Sequence, residues 1–528
     1  MQFDYVIVGG GSAGCVLANR LTEDPSVSVL LLEAGMSDWH PFIHMPAGVG
    51  ELLKGKLFNW YFDTAPEPQL ANRRLYWPRG KGLGGSSSMN GMIYIRGHRA
   101  DFDRWATEEG CPGWSYDEVL PYFRKSEDFH GGENAFHGAG GPLGITERAS
   151  GHMLFDVFLE AAQQAGHART DDFNGAQQEG AGYYQLTIKD GRRQSTAATF
   201  LRQAENRPNL TVVTRAHVRR IEIENGRATG VSFRRGFSTH QATARREVLL
   251  CAGAVQSPQL LMLSGIGDGN QLRRFGIEVK LDRPAVGQNL QDHLDVMVQQ
   301  HCTQPVTFYE NTKPHRVLLT LIEYLRTHKG LGATNALEAG AFLKTDPSLP
   351  YPDVQLHFIP AFMLDHAREK GPGEGYMLHA CQLRPRSKGH VALASADPFA
   401  APVIQPNYLS DPFDTEVLVK AIKAARKIFA QPAFDPYRGK EEVPGEQVQT
   451  DAQLVECIRQ KAETIYHPVG TCRMGSDERA VVDTDCRVRG IAGLRVVDAS
   501  VMPSLVGGNT NAATIMIAER IADRIRGR

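Results

Sequence analysis

Three glycines near the start of the chain are spaced to bind a phosphate group. Gly9, Gly11 and Gly14 form a G-x-G-x-x-G motif between an apolar run at residues 3–8 and a segment with helical pattern. Such glycines allow a tight turn and let backbone N–H groups approach a pyrophosphate at a helix N-terminus. Glu33 follows 19 residues after Gly14, at the end of a second apolar run, where a carboxylate can accept from both ribose hydroxyls. This combination predicts a dinucleotide site.

The same glycines also spell a rival motif. Gly10, Ser12 and Gly14 read G-x-S-x-G, the nucleophile elbow of α/β-hydrolases, with Ser12 as the nucleophile and His467 as a base later in the chain. A nucleophile elbow needs several sheet strands before it to build the oxyanion hole, and only one short strand precedes this motif. We therefore favour the dinucleotide site.

The elements that must position these residues indicate an α/β fold. The N-terminal segment alternates strand, helix and strand, and short apolar runs typical of buried strands recur at 210–214, 247–254 and 494–500. Near the C-terminus, apolar residues at 518, 521, 522 and 525 are spaced as on one face of a helix. Between about 300 and 460 the pattern changes to Pro-rich turns, aromatic residues and longer mixed strands. We therefore predict a second domain inserted into the first.

Composition and charge exclude several classes of protein. The 528 residues include 58 Lys and Arg against 59 Asp and Glu, so no overall positive field attracts nucleic acid and we expect no such partner. The eight cysteines form no C-x-x-C pair and there is no H-E-x-x-H, so we expect no metal site. No run approaches the ~18 apolar residues of a membrane-spanning helix, and we expect no export signal. These features favour a cytoplasmic protein with reduced cysteines; peripheral attachment to the inner face of the cytoplasmic membrane stays open.

A second glycine-rich stretch narrows the choice of dinucleotide. Residues 79–97 read RGKGLGGSSSMNGMIYIRG, dense in small groups that can press backbone against a flat ring system. This stretch resembles the first signature of the glucose-methanol-choline (GMC) family of FAD-dependent oxidoreductases. Four further segments match the family in order along the chain: GAVQSPQLLMLSGIG at 253–267, VGQNLQDH at 286–293, TIYHPVGTCRMG at 464–475 and RVVDASVMPSLVGGNTNAATIMIAE at 495–519.

The resemblance implies a fold and a cofactor. It implies a Rossmann-type FAD-binding domain, class α/β, formed by residues 1–155, 205–300 and 460–528, with an inserted α+β substrate-binding domain formed by 156–204 and 301–459. Met89 stands where some members carry a histidine bonded covalently to the flavin. A thioether cannot form that bond, so we expect noncovalent FAD.

The resemblance also implies which residues hold FAD. Asp498 resembles the flavoprotein aspartate that binds the ribityl chain, and Val218 would close over the adenine. The matched positions are Gly9, Gly11, Ser12, Gly14, Glu33, Ala34, Gly84, Gly85, Ser86, Asn90, Gly91, Val218, Asp498 and Ala499.

Two residues near the C-terminus are the candidates for catalysis. His467 in YHPVG matches the family's catalytic histidine, and imidazole has the pKa suited to take a hydroxyl proton as hydride leaves the carbon. Asn511, 44 residues later, stands where the family places a second His or Asn. Its amide can hydrogen-bond the substrate oxygen but cannot act as a base. Asn511 is also placed to cap the last helix, whose positive end would face the flavin and stabilise its anionic reduced form.

The expected reaction is oxidation of a primary alcohol to an aldehyde, with the proton going to His467, hydride to FAD, and electrons onward to a quinone or similar acceptor. The segments IHMPAGVG and NWYFDTAPEP are similar to the branch of choline dehydrogenase and aliphatic alcohol dehydrogenases. An alcohol oxidase that uses oxygen and a hydroxynitrile lyase share the scaffold and stay as alternatives. A flavin-binding protein without activity is a third, which the intact His467 and Asn511 disfavour.

The inserted domain is compatible with two classes of alcohol substrate. Choline would require a carboxylate and aromatic faces around its cation. The inserted domain offers Glu338, Tyr351, Phe358 and Phe362 for that purpose. An aliphatic or aryl primary alcohol would require an apolar pocket, and we favour this class over choline.

Overall fold

Two seven-stranded sheets form the frame of the molecule. The computed structural model describes residues 1–147 and 150–527. Each sheet is the centre of its own large apolar cluster. The fold is thus the mixed α/β architecture expected from the sequence.

The first sheet has the N-terminal strand near its centre. Gln2–Val8 runs parallel to Val29–Leu32 on one side and to Ser238–Leu250 on the other. The helix Ser12–Leu21 connects the first two strands, which completes the predicted strand-helix-strand unit. A parallel strand that is covered on both faces must be apolar throughout. Residues 5–8 of this strand are accordingly both apolar and buried. The other strands of this sheet are Leu210–Val213, Ala216–Glu224, Arg227–Arg235 and Leu494–Val496.

The second sheet is antiparallel, and two of its strands cross the boundaries predicted for the second part of the inserted domain. Its strand Leu294–Cys302 spans the boundary predicted at residue 300, and Glu463–Thr464 pairs with that strand from beyond the boundary predicted at 460. The other strands are Gly180–Tyr183, Ala339–Leu343, Val354–Ile359, Gly375–Gln382 and Arg438–Val443. The apolar core on this sheet includes the buried faces of Met153–Gln164 and Pro412–Phe429.

The last helix, Asn511–Arg526, packs against the first helix. Arg20 Nη2 lies 2.7 Å from Oε1 of the buried Glu519, an ion pair that links the two helices. Ala518, Ile521 and Ala522 are buried, as their spacing predicted. Ser12 and Asn511, the first residues of the two helices, are hydrogen-bonded to each other, so the two N-termini lie side by side.

The remaining elements are shorter or lie at the periphery. The other α-helices are Pro41–His44, Val49–Lys54, Arg99–Thr107, Tyr116–Ser126, Arg202–Ala204, Gly253–Leu263, Gly269–Arg274, Pro314–Thr327 and Asp451–Lys461. The short strands are Phe62–Asp63, Tyr76–Trp77, Glu127–Phe129, Leu143–Ile145, Ile188–Lys189, Arg192–Arg193, Ile266–Gly267, Leu281–Asp282, Gln288–Leu290, Met363–Leu364, Glu369–Lys370, Gly389–Ala392 and Val403–Gln405. Within the described residues, no helix combines the length and the apolar character needed to cross a bilayer.

Candidate active site

A cavity of about 1440 Å³ is lined by residues from both sheets and from the last helix. Every residue expected to hold FAD lines it except Gly14 and Gly84. His467 and Asn511, the two candidates for catalysis, line it as well. The structure therefore brings residues from the two ends of the chain and from its middle to one site.

Gly14 and Gly84 do not line the cavity but pack closely against residues next to it. A Cβ at Gly14 would lie 1.9 Å from the carbonyl oxygen of Gly9, so the first helix packs this closely only with glycine there. Gly84 has a φ of +86°, and a Cβ at this residue would lie 2.1 Å from Oγ of Ser88. Both glycines are therefore required by the turns that surround the cavity.

The part of the cavity near the first helix fits a pyrophosphate and a ribose. The first helix starts after Gly11 without a side-chain cap, so its N-terminal N–H groups are available to an anion. A Cβ at Gly85 would lie 2.7 Å from Cα of Gly11, so glycine allows these two loops to meet. The Glu33 carboxylate accepts from the backbone N–H groups of Gly10 at 2.9 Å and Gly35 at 2.7 Å, which hold it at the wall. Burial raises the pKa of Glu33 to about 7.

Hydrogen bonds also fix the side chains expected near the flavin. Asp498 accepts from the N–H of Gly253 at 2.9 Å and from Oγ of Ser257 at 2.6 Å. Burial raises the pKa of Asp498 above its ordinary value. Asn90 Oδ1 accepts from Nη1 of Arg193 at 2.7 Å, and Arg193 is a fully buried residue that the sequence did not single out. The residues present therefore fit FAD along the length of the cavity.

His467 is paired with Asn509, two residues before the asparagine expected from the sequence. Nδ2 of Asn509 lies 3.2 Å from Nε2 of His467. Gln355 Nε2 donates to Oδ1 of Asn509 at 3.2 Å, which fixes the orientation of the amide. Asn511 instead accepts from Oγ of Ser12 at 2.7 Å, because it opens the last helix beside the first one. In the structure Asn509 thus lies beside His467, whereas Asn511 lines the same cavity and contacts the first helix.

A second histidine fixes the tautomer of His467. Burial lowers the pKa of His293 to about 4 and that of His467 well below its ordinary value, so both rings are neutral at pH 7. His293 Nε2 lies 3.0 Å from the carbonyl oxygen of Leu383, so this nitrogen must carry a proton. His293 Nδ1 is then bare and accepts from Nδ1 of His467 at 2.9 Å. The other nitrogen of His467, Nε2, keeps its lone pair, as a base requires.

The backbone of His467 is held by the residue before His293. Asp292 Oδ1 accepts from the N–H of His467 at 2.7 Å, and its Oδ2 accepts from Oγ1 of Thr464 at 2.5 Å. Tyr466, just before His467, has a φ of +71°, a left-handed conformation that is rare for a bulky residue. Asp292 and His293 end the VGQNLQDH segment, whose sequence resembles the family but does not by itself indicate a role for these two residues.

The part of the cavity in the inserted domain is partly polar. Of the four residues considered for a substrate cation, Phe362 lines the cavity and the other three do not. Phe358 stacks on Phe158 in the core, and Tyr351 lies under the guanidinium of Arg384. Glu338 is buried and accepts from Ser150 N at 3.1 Å.

Three other polar residues line this part of the cavity. Glu463 supplies a carboxylate, and burial raises its pKa to about 7. Nδ1 of His357 and Nε2 of His379 are buried with no hydrogen-bond partner in the part of the chain that the structure describes. A substrate with a second polar group would find partners here.

Comparison with known proteins identifies the family. Two family models, each described as GMC oxidoreductase, match residues 3–295 and 385–518. The chain belongs to the GMC oxidoreductase family. It is 48% identical to mouse mitochondrial choline dehydrogenase, over 100% of this chain and 90% of that protein. It is 49% identical to the oxygen-dependent choline dehydrogenase of Klebsiella pneumoniae, over 100% of this chain and 96% of that protein.

Solved structures agree with the family assignment. Pyridoxine 4-oxidase from Mesorbium loti is 33% identical with a TM-score of 0.90, covering 100% of this chain and 99% of that one. The R554A variant of Aspergillus oryzae formate oxidase is 29% identical with a TM-score of 0.93, covering 100% and 98%. This GMC oxidoreductase is therefore an FAD-dependent enzyme that acts on CH–OH groups, and its fold is the expected one.

Proposed function

We propose that this GMC oxidoreductase oxidises a primary alcohol to an aldehyde, with Nε2 of His467 taking the hydroxyl proton. FAD, when bound, accepts the hydride. The observation that carries the proposal is the pairing of Nε2 of His467 with the Asn509 amide at the wall of the cavity. In this arrangement the base and a hydrogen-bond donor converge on the place where an alcohol oxygen would lie.

The surroundings of His467 support its role as a base. Its Nδ1 proton is engaged by His293, so the lone pair of Nε2 is on the side of Asn509, whose amide N–H can donate to it. The amide of Asn509 can donate to the alcohol oxygen and hold it against Nε2. The pKa of His467 is lowered by burial, so the ring is unprotonated at neutral pH and ready to accept a proton.

The test is stopped-flow reduction of FAD in His467→Ala enzyme. We expect normal FAD content and a reduction rate about 10²- to 10⁴-fold below wild type, the contribution of a general base. His240→Ala is the matched control, because His240 is exposed on the first sheet. A rate for His467→Ala within about threefold of wild type, at full FAD content, contradicts the mechanism.

We further propose that a quinone or similar acceptor reoxidises the enzyme. The similarity to the dehydrogenase branch supports this, while the words "oxygen-dependent" and "oxidase" in the names of relatives and structural neighbours favour oxygen as the second candidate. The measurement is return of flavin colour after reduction by alcohol, with oxygen or with a soluble quinone. Peroxide formation at the rate of turnover contradicts the quinone proposal. Absence of bleaching by any alcohol favours a hydroxynitrile lyase instead.

For the substrate we propose an aliphatic or aryl primary alcohol, with choline as the second candidate. Two observations favour choline: the relatives at 48–49% identity are named choline dehydrogenases, and Glu463 presents a carboxylate to the cavity. The apolar residues Ile359, Phe362 and Met363 line the same region and suit an uncharged chain.

The experiment compares kcat/KM for 1-butanol, benzyl alcohol and choline in wild-type and Glu463→Gln enzyme. We expect the uncharged alcohols to be the better substrates and to be unaffected by the substitution. Choline would instead be the substrate if its kcat/KM were the highest and its KM rose about tenfold or more in Glu463→Gln. A rise of this size is what the loss of a partly desolvated charge pair would cause.

A further inference from the structure

One helix exposes an unusually apolar surface. Leu318, Ile322 and Leu325 lie at positions i, i+4 and i+7 of Pro314–Thr327, hence on one face, and are 57%, 39% and 57% exposed. Leu319, three residues before Ile322, adds to this surface at 56%. Contiguous apolar surface of this kind marks an interaction site.

The exposed face is additional to the face that the helix uses for packing. Leu321 and Tyr324 pack with Met45 and Ala333. The hydroxyl of Tyr324 also donates to the carbonyl oxygen of His44 at 3.1 Å. This inner face already secures the helix to the protein. An outer face with three more large aliphatic residues therefore has no role in that packing and instead faces a partner.

The charges around this face suit an anionic surface. Arg316, Arg326 and Lys329 lie on the helix or just after it, against a single acid, Glu323, between 314 and 329. Lys313, at the start of the helix, is paired with Glu310. The whole chain has a net charge of −1, so this positive cluster is local. Aliphatic residues beside basic ones are the pattern of a helix that lies in the interface of a bilayer with anionic lipids.

The helix also lies at the active-site cavity. Val317, Thr320 and Leu321 line the cavity on the inner side of the helix. Phe42 and Leu321 pack against the same apolar cluster. The ring of His40 contacts the rings of both Phe42 and Trp39, and Trp39 is 61% exposed. Tryptophan is favoured at membrane interfaces. A surface that met lipid here would place the cavity next to apolar compounds dissolved in the bilayer.

We propose that Pro314–Thr327 docks on the surface of an anionic lipid bilayer, with Leu318, Ile322 and Leu325 in the boundary of the acyl chains and the basic residues at the headgroups. The docking itself does not depend on the reaction. Only its purpose, direct exchange of an apolar alcohol or quinone between bilayer and cavity, rests on the proposed function.

The test is sedimentation of the FAD-loaded enzyme with vesicles of phosphatidylglycerol and phosphatidylethanolamine in equal parts, and with vesicles of phosphatidylcholine. We expect binding to the anionic vesicles that weakens with added salt. The triple variant Leu318→Ser, Ile322→Ser, Leu325→Ser should bind at least about tenfold more weakly. Arg316→Gln and Arg326→Gln should each weaken binding about fivefold on the anionic vesicles only. Phe237→Ser, a change at a fully exposed residue of another loop, is the control and should bind as wild type.

Two readouts separate this proposal from others. Reduction of FAD by alcohol, followed with a soluble acceptor, should be equal in wild type and in the triple variant, because none of the three residues lines the cavity. Wild-type enzyme that stays in the supernatant overturns the proposal, as does a triple variant that binds like wild type. A wild-type dimer that the triple variant converts to a monomer assigns the face to a second copy of the chain and also overturns it. Failure of alcohol to reduce FAD would overturn the proposed function alone.

Discussion

Nδ1 of His293 lies 2.9 Å from Nδ1 of His467, and this contact decides which nitrogen of His467 can act as a base. The proton between the two rings must come from His467, because His293 uses its own proton on the carbonyl of Leu383. His293 is thus a positioning residue: it does not line the cavity, and it acts through the tautomer of His467.

We expect His293→Leu to lower the rate of flavin reduction by about 10²-fold or more, since the wrong tautomer of a catalytic histidine costs up to ~10⁴-fold. His293→Gln should recover most of the rate, because its amide oxygen can accept from Nδ1 of His467 and its amide nitrogen can donate to Leu383. Both variants are measured by stopped flow at equal FAD content. Equal rates for the two variants would mean that the ring serves only packing.

The pH dependence of reduction follows from the lowered pKa of His467. The active form is the neutral ring, which is present above the pKa and is lost as the pH falls through it. Because burial lowers that pKa well below its ordinary value, we expect a constant reduction rate from pH 7 to 8 and a decrease only below ~6.5. A rate that still rises between pH 7 and 8 through one ionisation contradicts this prediction.

The acid side of that profile needs a control for stability. Burial lowers the pKa of His293 to about 4 and that of His357 to about 3, below the ~6.5 of an unfolded chain. The stability contributed by such neutral rings is present above pH ~6.5 and is lost as the pH falls toward the folded values. Reduction rates at low pH are therefore compared only where circular dichroism and FAD content are unchanged.

The two asparagines of NTN should behave differently when substituted. Asn509→Ala removes the donor beside Nε2 of His467, and we expect the reduction rate to fall about 10²-fold, as when one donor to a reacting oxygen is lost. Asn511→Ala removes the acceptor for Ser12, so we expect a loss of about 1 kcal/mol in stability and a smaller effect on the reduction rate. Thermal unfolding and stopped flow on both variants check this. A larger rate effect in Asn511→Ala would return the role to Asn511.

The sequence predicts the dinucleotide motif, but it does not predict which of the two asparagines contacts His467. The motif from Gly9 to Gly14 and the acid at Glu33 were predictable because one strand-helix-strand unit positions them all. The choice between Asn509 and Asn511 was not, because the two are identical residues two positions apart and only the start of the last helix separates them. Counted from His467, the family spacing points to Asn511, whereas the contact with His467 is made by Asn509.

The sequence also does not predict contacts between segments that are far apart in the chain. His293 and His467 are 174 residues apart, and the strand Leu294–Cys302 that follows His293 belongs to the second sheet. Nothing in VGQNLQDH indicates that its last two residues support the backbone and the ring of His467. Likewise Glu338 and Glu463 are both acids in the sequence, and only the fold places Glu463 in the cavity.

We expect FAD to be held without a covalent bond, and its affinity to depend on the ionisation of Glu33. Met89 cannot form the covalent bond of a histidine, so denaturation should release intact FAD, and flavin that stays with the precipitated chain would contradict this. Ribose hydroxyls would donate to the ionised form of Glu33, and burial raises the pKa of this carboxyl to about 7 in the protein without FAD. FAD affinity should therefore increase with pH between about 6 and 8, by up to about tenfold. Glu33→Ala should weaken binding by ~1.5–3 kcal/mol for each hydrogen bond lost and remove this pH dependence, whereas Glu278→Ala, at an acid with a 77% exposed side chain, should do neither. Titration of apoprotein with FAD at several pH values measures both effects, and unchanged affinity in Glu33→Ala would remove Glu33 from the FAD site.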